Sequence, residues 1–221
     1  MKVVEDRGYW GKGGIYHALL ASFLLLMALQ PFAEVAGGFL VRLGWASLLV
    51  ACIAAVASRR RLLIFGLILA VPAVGLLFVP GRVPTVTGGF FAMATLAFIC
   101  LVIVYRIFEH PVVTSATVSA SLVVYLTFGV VWAKAYWLVE QFNPGSFTGL
   151  SGTGVVDVQR DLFYYSYVTL SALGYGDITP VSPEARSLAI TESVVGQLYL
   201  VVLVAGLLGM HLTRQRTGPD A

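Results

Sequence analysis

Between residues 15 and 211 the chain is a succession of apolar runs separated by short polar links, and this pattern restricts the fold more than any other feature. A bilayer core offers no water to backbone N–H and C=O groups, so only helices and closed barrels cross it. Apolar runs of about 20 residues without strict alternation predict helices. Composition agrees: 58% of the 221 residues are hydrophobic and 11% are charged. Soluble domains carry about 25% charged residues. The expected fold class is all-α and transmembrane. One stretch breaks the pattern. Thr169-Leu170-Ser171-Ala172-Leu173-Gly174-Tyr175-Gly176-Asp177 is irregular and glycine-bearing, yet apolar sequence flanks it on both sides. Irregular backbone at membrane depth is tolerated only where protein buries it or where it lines a water-filled path.

Taken in order, residues 1–14, with Lys2, Arg7 and Lys12, read as a cytoplasmic lead-in, and no cleavable leader is expected. Crossings are expected over residues 15–33, from the Gly37-Gly38 link to about residue 57, over 62–79 and over 85–105. Ser58-Arg59-Arg60-Arg61 is the densest basic cluster and marks its link as cytoplasmic. Pro80-Gly81-Arg82-Val83-Pro84 predicts a tight outer turn. The fourth run contains no Arg, Lys, Asp or Glu, and Arg106 stands alone at its inner end. Work against the membrane field needs charge that moves, so voltage sensing by a charged fourth helix is not expected. Residues 106–111 form the last cytoplasmic link, residues 112–121 an expected interfacial lead-in, and the fifth run ends near Leu138. Lys134 is expected to reach the outer interface, and Trp132, Tyr136 and Trp137 to form an aromatic belt there. Residues 140–157 read as an extracellular turret. A helix over 161–172 is too short to cross. The sixth run covers 186–211, and Arg214 and Arg216 place the tail inside. The result is six crossings in the cell membrane, with both termini cytoplasmic. Cys52 and Cys100 lie in separate apolar runs and read as small core residues.

Within the irregular run, Gly174 and Gly176 alternate with Leu173 and Tyr175. Glycine admits φ > 0, so alternating it lets successive carbonyls turn toward one axis. A ring of such oxygens replaces the hydration shell of a cation. The run resembles the filter signature of the potassium channel family, Thr-Val-Gly-Tyr-Gly-Asp, in the form Ala172-Leu173-Gly174-Tyr175-Gly176-Asp177. Gly174, Tyr175, Gly176 and Asp177 match, Leu173 replaces Val, and Ala172 replaces Thr. The resemblance covers residues 114–210 in detail, while the first four runs match only in hydropathy. It implies K+ held by carbonyls of Ala172, Leu173, Gly174 and Tyr175, with Gly176 completing the filter. It also implies that the preceding helix is a re-entrant pore helix whose negative end faces the cation. One chain carries one filter, so the resemblance implies a homotetramer with cyclic symmetry. Ala172 keeps the carbonyl of the family's Thr and lacks its hydroxyl, which implies a weakened innermost site. The domain division is then 1–14 N-terminus, 15–110 four-span domain, 111–213 pore domain and 214–221 tail.

Around the filter, Tyr164, Tyr165 and Tyr167 are expected to pack against Tyr175. By resemblance, the residue at Tyr164 hydrogen-bonds the carboxylate matching Asp177. Val168 stands where some family members carry Glu, so no second carboxyl is expected behind Asp177. Glu192 is the one carboxylate well inside the sixth run, and an intramembrane acid needs a partner. Thr169 and Ser171 are the expected partners, and the role is either a brace behind the pore helix or a gating or pH-sensing group. By resemblance the inner helix bends near a mid-span glycine. Gly196 is the preferred hinge, with Gly206 a second candidate, and close helix contact through small residues competes with both. Leu203, Leu207 and Met210 recur at helical spacing and fit either an apolar constriction or a lipid-facing stripe. His17, His110 and His211 lie near inner ends of their runs, solvated or sensing internal pH. No nucleotide-binding fingerprint, catalytic dyad or metal-ligand cluster appears, so neither an enzyme nor a cofactor is expected beyond the permeant ion. The ten residues after 211 leave no expected ligand-binding domain. Expected partners are three further copies of the chain, K+ and membrane lipids, with no nucleic acid. The expected function is passive potassium-selective conduction. A potassium transporter subunit, or a weakly selective or non-conducting channel-like protein because of Ala172, stay open as alternatives.

Overall fold

The computed structural model describes residues 13–29, 60–76, 78–109 and 114–216. Helices α1 (Gly13–Leu29) and α2 (Arg60–Leu76) have 17 residues each. That is about 25 Å of helix, short of a hydrocarbon core of about 30 Å. Helices α3 (Arg82–Glu109) and α4 (Ser115–Phe142) have 28 residues each. A short strand β1 (Phe147–Thr148), helix α5 (Val155–Leu170), strand β2 (Thr179–Pro180) and helix α6 (Pro183–Arg216) complete the order. Among the described residues, three helices are long and apolar enough to cross a membrane: α3, α4 and the Pro183–Gly206 part of α6. The crossing expected up to residue 57 lies outside the described residues, as do residues 30–33 of the first, Cys52 and His110. Nothing is described of the side chains of Leu207, Met210 and His211.

Several boundaries move from their expected places. The outer turn closes sooner, because α3 already begins at Arg82. Pro84 falls in its first turn, where a missing N–H goes unmissed, and the Thr85 hydroxyl donates to Gly81 O at 2.7 Å. At its C-terminal end α3 continues to Glu109, through most of the expected link. The expected interfacial segment is helical from Ser115 onward. Thr114 caps α4: its hydroxyl oxygen accepts from Thr117 N at 3.2 Å, and Thr117 Oγ1 accepts from Thr114 N at 3.3 Å.

Helix α4 is the hub and packs against α1, α3, α5 and α6. Small residues set how closely its neighbours approach. A Cβ on Gly129 would lie 2.6 Å from the Tyr167 ring of α5, and one on Gly89 of α3 would lie 2.5 Å from Trp137. Both positions therefore exclude a side chain. The hydroxyls of Ser121 and Thr127 donate within α4, to Thr117 O at 2.9 Å and Val123 O at 2.6 Å, so the helix satisfies its own polar groups. Near the start of α4, Ser119 Oγ and His17 Nδ1 lie 2.7 Å apart and join α4 to α1, so His17 is engaged rather than simply solvated.

Of the expected aromatic belt, Tyr136 and Trp137 turn inward, while Trp132 is only half-buried. Tyr136 is 0% and Trp137 1% exposed, because α3, α5 and the turret residues close over this end of α4. Lys134 does not reach out freely. Its ammonium lies 5.8 Å over the Trp137 ring, whose electron-rich face stands in for part of the lost hydration.

Beyond α4 the segment expected as a turret is ordered by bonds to backbone N–H groups. Glu140 accepts from Gly145 N at 2.8 Å and Phe147 N at 3.2 Å, which folds the chain back after the helix. β1 and β2 then pair antiparallel, Phe147 with Pro180 and Thr148 with Thr179. This pairing ties the start of the turret to the far side of the irregular run. Along α6, by contrast, Ile190, Val194, Leu198, Val201, Val202 and Val204 stay exposed within the single chain.

Candidate functional site

Helix α5 delivers the irregular run. It begins at Val155, six residues ahead of the expected start, and stops at Leu170 rather than 172. Gly154 precedes it in extended conformation without a side-chain cap, and Asp157 supplies negative charge in the first turn. Arg160 lies 3.4 Å from Asp157 and 3.8 Å from Asp161, and Asp161 accepts from Ser151 N at 2.6 Å. These contacts hold the outer end of α5 against the turret. Its inner end winds down through Ser171 N to Tyr167 O at 3.1 Å, Ala172 N to Thr169 O at 3.0 Å and Leu173 N to Val168 O at 2.9 Å.

Beyond Ser171 the chain is no longer helical. Ala172, Gly174 and Gly176 have φ of 57°, 62° and 79°, so every second residue from 172 to 176 is left-handed. A strand turns successive carbonyls to opposite sides; reversing the sign of φ at alternate residues undoes that alternation. Ala172 is the sole described non-glycine residue with positive φ. The glycines were legible as left-handed positions; the alanine was not. Leu173 is 59% and Tyr175 66% exposed within the single chain, and a Cβ on Gly174 or Gly176 would meet nothing within 4 Å. Among the described residues, 174–176 form no hydrogen bond within the chain.

The Asp177 end of the run is braced. The Tyr164 hydroxyl donates to Asp177 Oδ2 at 2.7 Å, and Ile178 N donates to Asp177 Oδ1 at 3.0 Å. The hydrogen bond from Tyr164 is the main reason the Asp177 carboxyl titrates below its usual value. The same bond pushes the Tyr164 hydroxyl up to about 12. Gly149, at φ 85°, passes over this point so closely that a Cβ there would lie 1.9 Å from Asp177 O.

Tyr165 and Tyr167 are not on Tyr175, contrary to expectation. Helix α5 buries the face carrying Leu162, Tyr165 and Ser166 against α4, the stripe that one helix turn creates. Tyr165 packs edge-on to Tyr136 and Phe147, with centroids 5.1 and 5.4 Å away. Tyr167 packs on Phe163 at 4.8 Å and donates to Leu126 O at 2.5 Å.

Glu192 is fully buried, but its partners are not Thr169 and Ser171. It contacts Ser166 Oγ at 2.5 Å and accepts from the Tyr136 hydroxyl. Ser166 Oγ also lies 2.7 Å from Gly129 O. The Ser171 hydroxyl instead donates to Tyr167 O at 2.6 Å. The carboxyl meets α5 one turn earlier than expected, since the side chains that face α6 are fixed by the rotation of α5. Polar residues at 136 and 166 in otherwise apolar or aromatic faces were the available signal, but spacing within one helix does not reveal a partner on another.

Gly196 is a contact point. A Cβ there would lie 2.7 Å from Leu170 Cδ1 and 2.9 Å from Leu170 O, so the close-contact alternative describes it. The same carbonyl accepts from the Tyr125 hydroxyl at 3.2 Å. Gly206 has open space around it, and Leu203 is half-buried. No cluster of metal-ligating side chains occurs among the described residues. What the run offers an ion is main-chain oxygen.

Residues 112–211 match the protein family described as ion channel. The two pore potassium channel c of Oryza sativa subsp. japonica is 34% identical over 94 residues, 42% of this chain and 19% of that protein. The inward rectifier potassium channel Kirbac3.1 of Paramagnetospirillum magnetotacticum is 33% identical over 98 residues, 42% of this chain and 29% of that protein. The voltage-gated potassium channel Kch of Escherichia coli (strain K12) is 33% identical over 111 residues, 48% of this chain and 22% of that protein. The chain thus spans between 19% and 29% of the length of these relatives. No solved structure matches. With its apolar helices the chain is a membrane protein, and from α4 to α6 it is similar to ion channels, potassium channels among them.

Proposed function

We propose that the chain is a subunit of a potassium-selective channel, with α5 as pore helix, 172–176 as filter, α6 as inner helix and α4 as outer helix. The observation that carries this is the left-handed φ at Ala172, Gly174 and Gly176, in a run exposed at the end of a short helix. Alternating φ turns carbonyls to one side, and exposure within a single chain leaves that side to face an axis shared with other copies. Four copies complete the ring, and the exposed apolar residues of α6 meet neighbouring copies or lipid. Dehydrated K+ then exchanges water for the carbonyls of Ala172, Leu173, Gly174 and Tyr175 and moves by passive diffusion. No charge lies between residues 85 and 105 to respond to voltage, so conduction is not gated by a charged fourth helix. Six crossings with cytoplasmic termini in the cell membrane complete the arrangement.

Purified protein in liposomes should pass K+ at least about tenfold faster than Na+, the discrimination of about 1.4 kcal/mol, and its native mass should equal four chains of 23.7 kDa. A monomer, or flux blind to the choice of cation, overturns the proposal. Ala172 favours a second reading, weak selectivity: its methyl offers no hydroxyl at the innermost site. Equal K+ and Na+ flux through a tetramer would select it.

A further inference from the structure

Glu192 sits where α4, α5 and α6 meet, fully buried, and no cation pairs with it among the described residues. The titratable groups around it are tyrosines: Tyr125 and Tyr136 of α4, and Tyr165 and Tyr167 of α5. Proton counting then decides its state. Ser166 Oγ carries one hydrogen and faces two oxygens, Gly129 O at 2.7 Å and Glu192 Oε1 at 2.5 Å. Gly129 O is a carbonyl and only accepts. With an ionised carboxylate, whichever way the serine hydrogen points, two lone pairs face each other across the remaining contact. A hydrogen on Oε1 removes the conflict. Tyr136 O–H then donates to Oε2, Oε1–H donates to Ser166 Oγ, and Ser166 O–H donates to Gly129 O. Every donor has one acceptor, and no net charge is buried.

Resting on the channel reading, we infer that Glu192 works as a neutral carboxylic acid, a two-way connector that fixes α5 between α4 and α6. It is a positioning residue for conduction. Ser166 lies one turn before Leu170, so a shift of this connector moves the point from which the filter run departs. The asymmetry between donor and acceptor oxygens matters: a glutamine reproduces both directions, its amide N–H donating to Ser166 and its carbonyl accepting from Tyr136.

The test uses the full chain in lipid. At neutral pH, infrared spectra should contain a protonated-carboxyl C=O band that is absent in Glu192→Gln and shifted in Ser166→Ala. Glu192→Gln should keep K+ flux and K+/Na+ preference within about threefold of the unaltered protein, while Glu192→Leu and Tyr136→Phe lose about tenfold or more in preference, since each orphans a buried polar group. A missing band, or a glutamine variant as impaired as the leucine one, overturns the inference. Unaltered protein that passes no K+ would sink the channel reading, and the band alone would then decide the proton on Glu192.

Discussion

Ala172 concentrates two effects at one position. Its φ of 57° places an L-residue in the left-handed region, at a cost of about 1–2 kcal/mol. Replacing it with glycine should remove that strain and raise the melting temperature of the assembly, measured by thermal unfolding in detergent. Ala172→Thr should do the opposite to stability, because a branched Cβ is worse at positive φ, while its hydroxyl tightens barium block at the inner site. Unchanged block in Ala172→Thr would refute the account of the missing hydroxyl. Asp177 gives a second residue-level outcome. Its folded-state pKa is depressed, chiefly by Tyr164, so the ionised pair stabilises this end of the run above the ordinary carboxylate value. That contribution is lost as pH falls through the depressed folded value. In Tyr164→Phe the carboxyl returns toward its ordinary value, so under the channel reading loss of K+ flux on acidification should begin at higher pH than in the unaltered protein. Coincident pH profiles would deny the hydrogen bond any role.

At the scale of elements, two glycines separate contact from openness. Gly129 has the Tyr167 ring 2.6 Å from any added Cβ, and Tyr167 is itself anchored to Leu126 O, so the ring has little room to retreat. Gly129→Ala should cost about 1–3 kcal/mol, read as a lower melting temperature. Gly206 has nothing within 4 Å, and Gly206→Ala should stabilise α6 by up to about 1 kcal/mol. If both substitutions shift stability alike, the packing described for α4 and α5 is wrong. The helices themselves were legible, since hydropathy marks α3, α4 and α6 directly. Their ends were less so. α5 starts early because Gly154 carries no capping side chain to announce it, and α3 starts early because a proline in a first turn looks like a turn residue. The β1–β2 pair joins segments about 30 residues apart, and two-residue strands have no periodicity to read.

For the molecule as a whole, the sequence carried the local chemistry of the irregular run further than the assembly of the helices around it. Gly174-Tyr175-Gly176-Asp177 is a local pattern with a local cause, the freedom of glycine, and two of the run's three left-handed φ values fall there. The partners of Glu192 are a different kind of fact. Choosing Ser166 over Thr169 or Ser171 depends on how far α5 is rotated against α6, which is set by Gly129, Gly196 and Leu170 acting together. The inward turn of Tyr136 and Trp137 has the same origin. An aromatic near a helix end serves a membrane surface or a protein interior equally well, and only the neighbouring helices choose between them.

Residues 174–176 form no hydrogen bond with the described residues of their own chain, yet both ends of that stretch are held, by Leu173 N on Val168 O on one side and by Tyr164 on Asp177 on the other. Such a span is an arch without a keystone, and under the channel reading the cargo supplies it. Potassium is then a building material as well as a passenger. Each bound ion favours the assembled state by mass action, so dialysis into sodium should hasten subunit dissociation on denaturing gels, and returning potassium should slow it again.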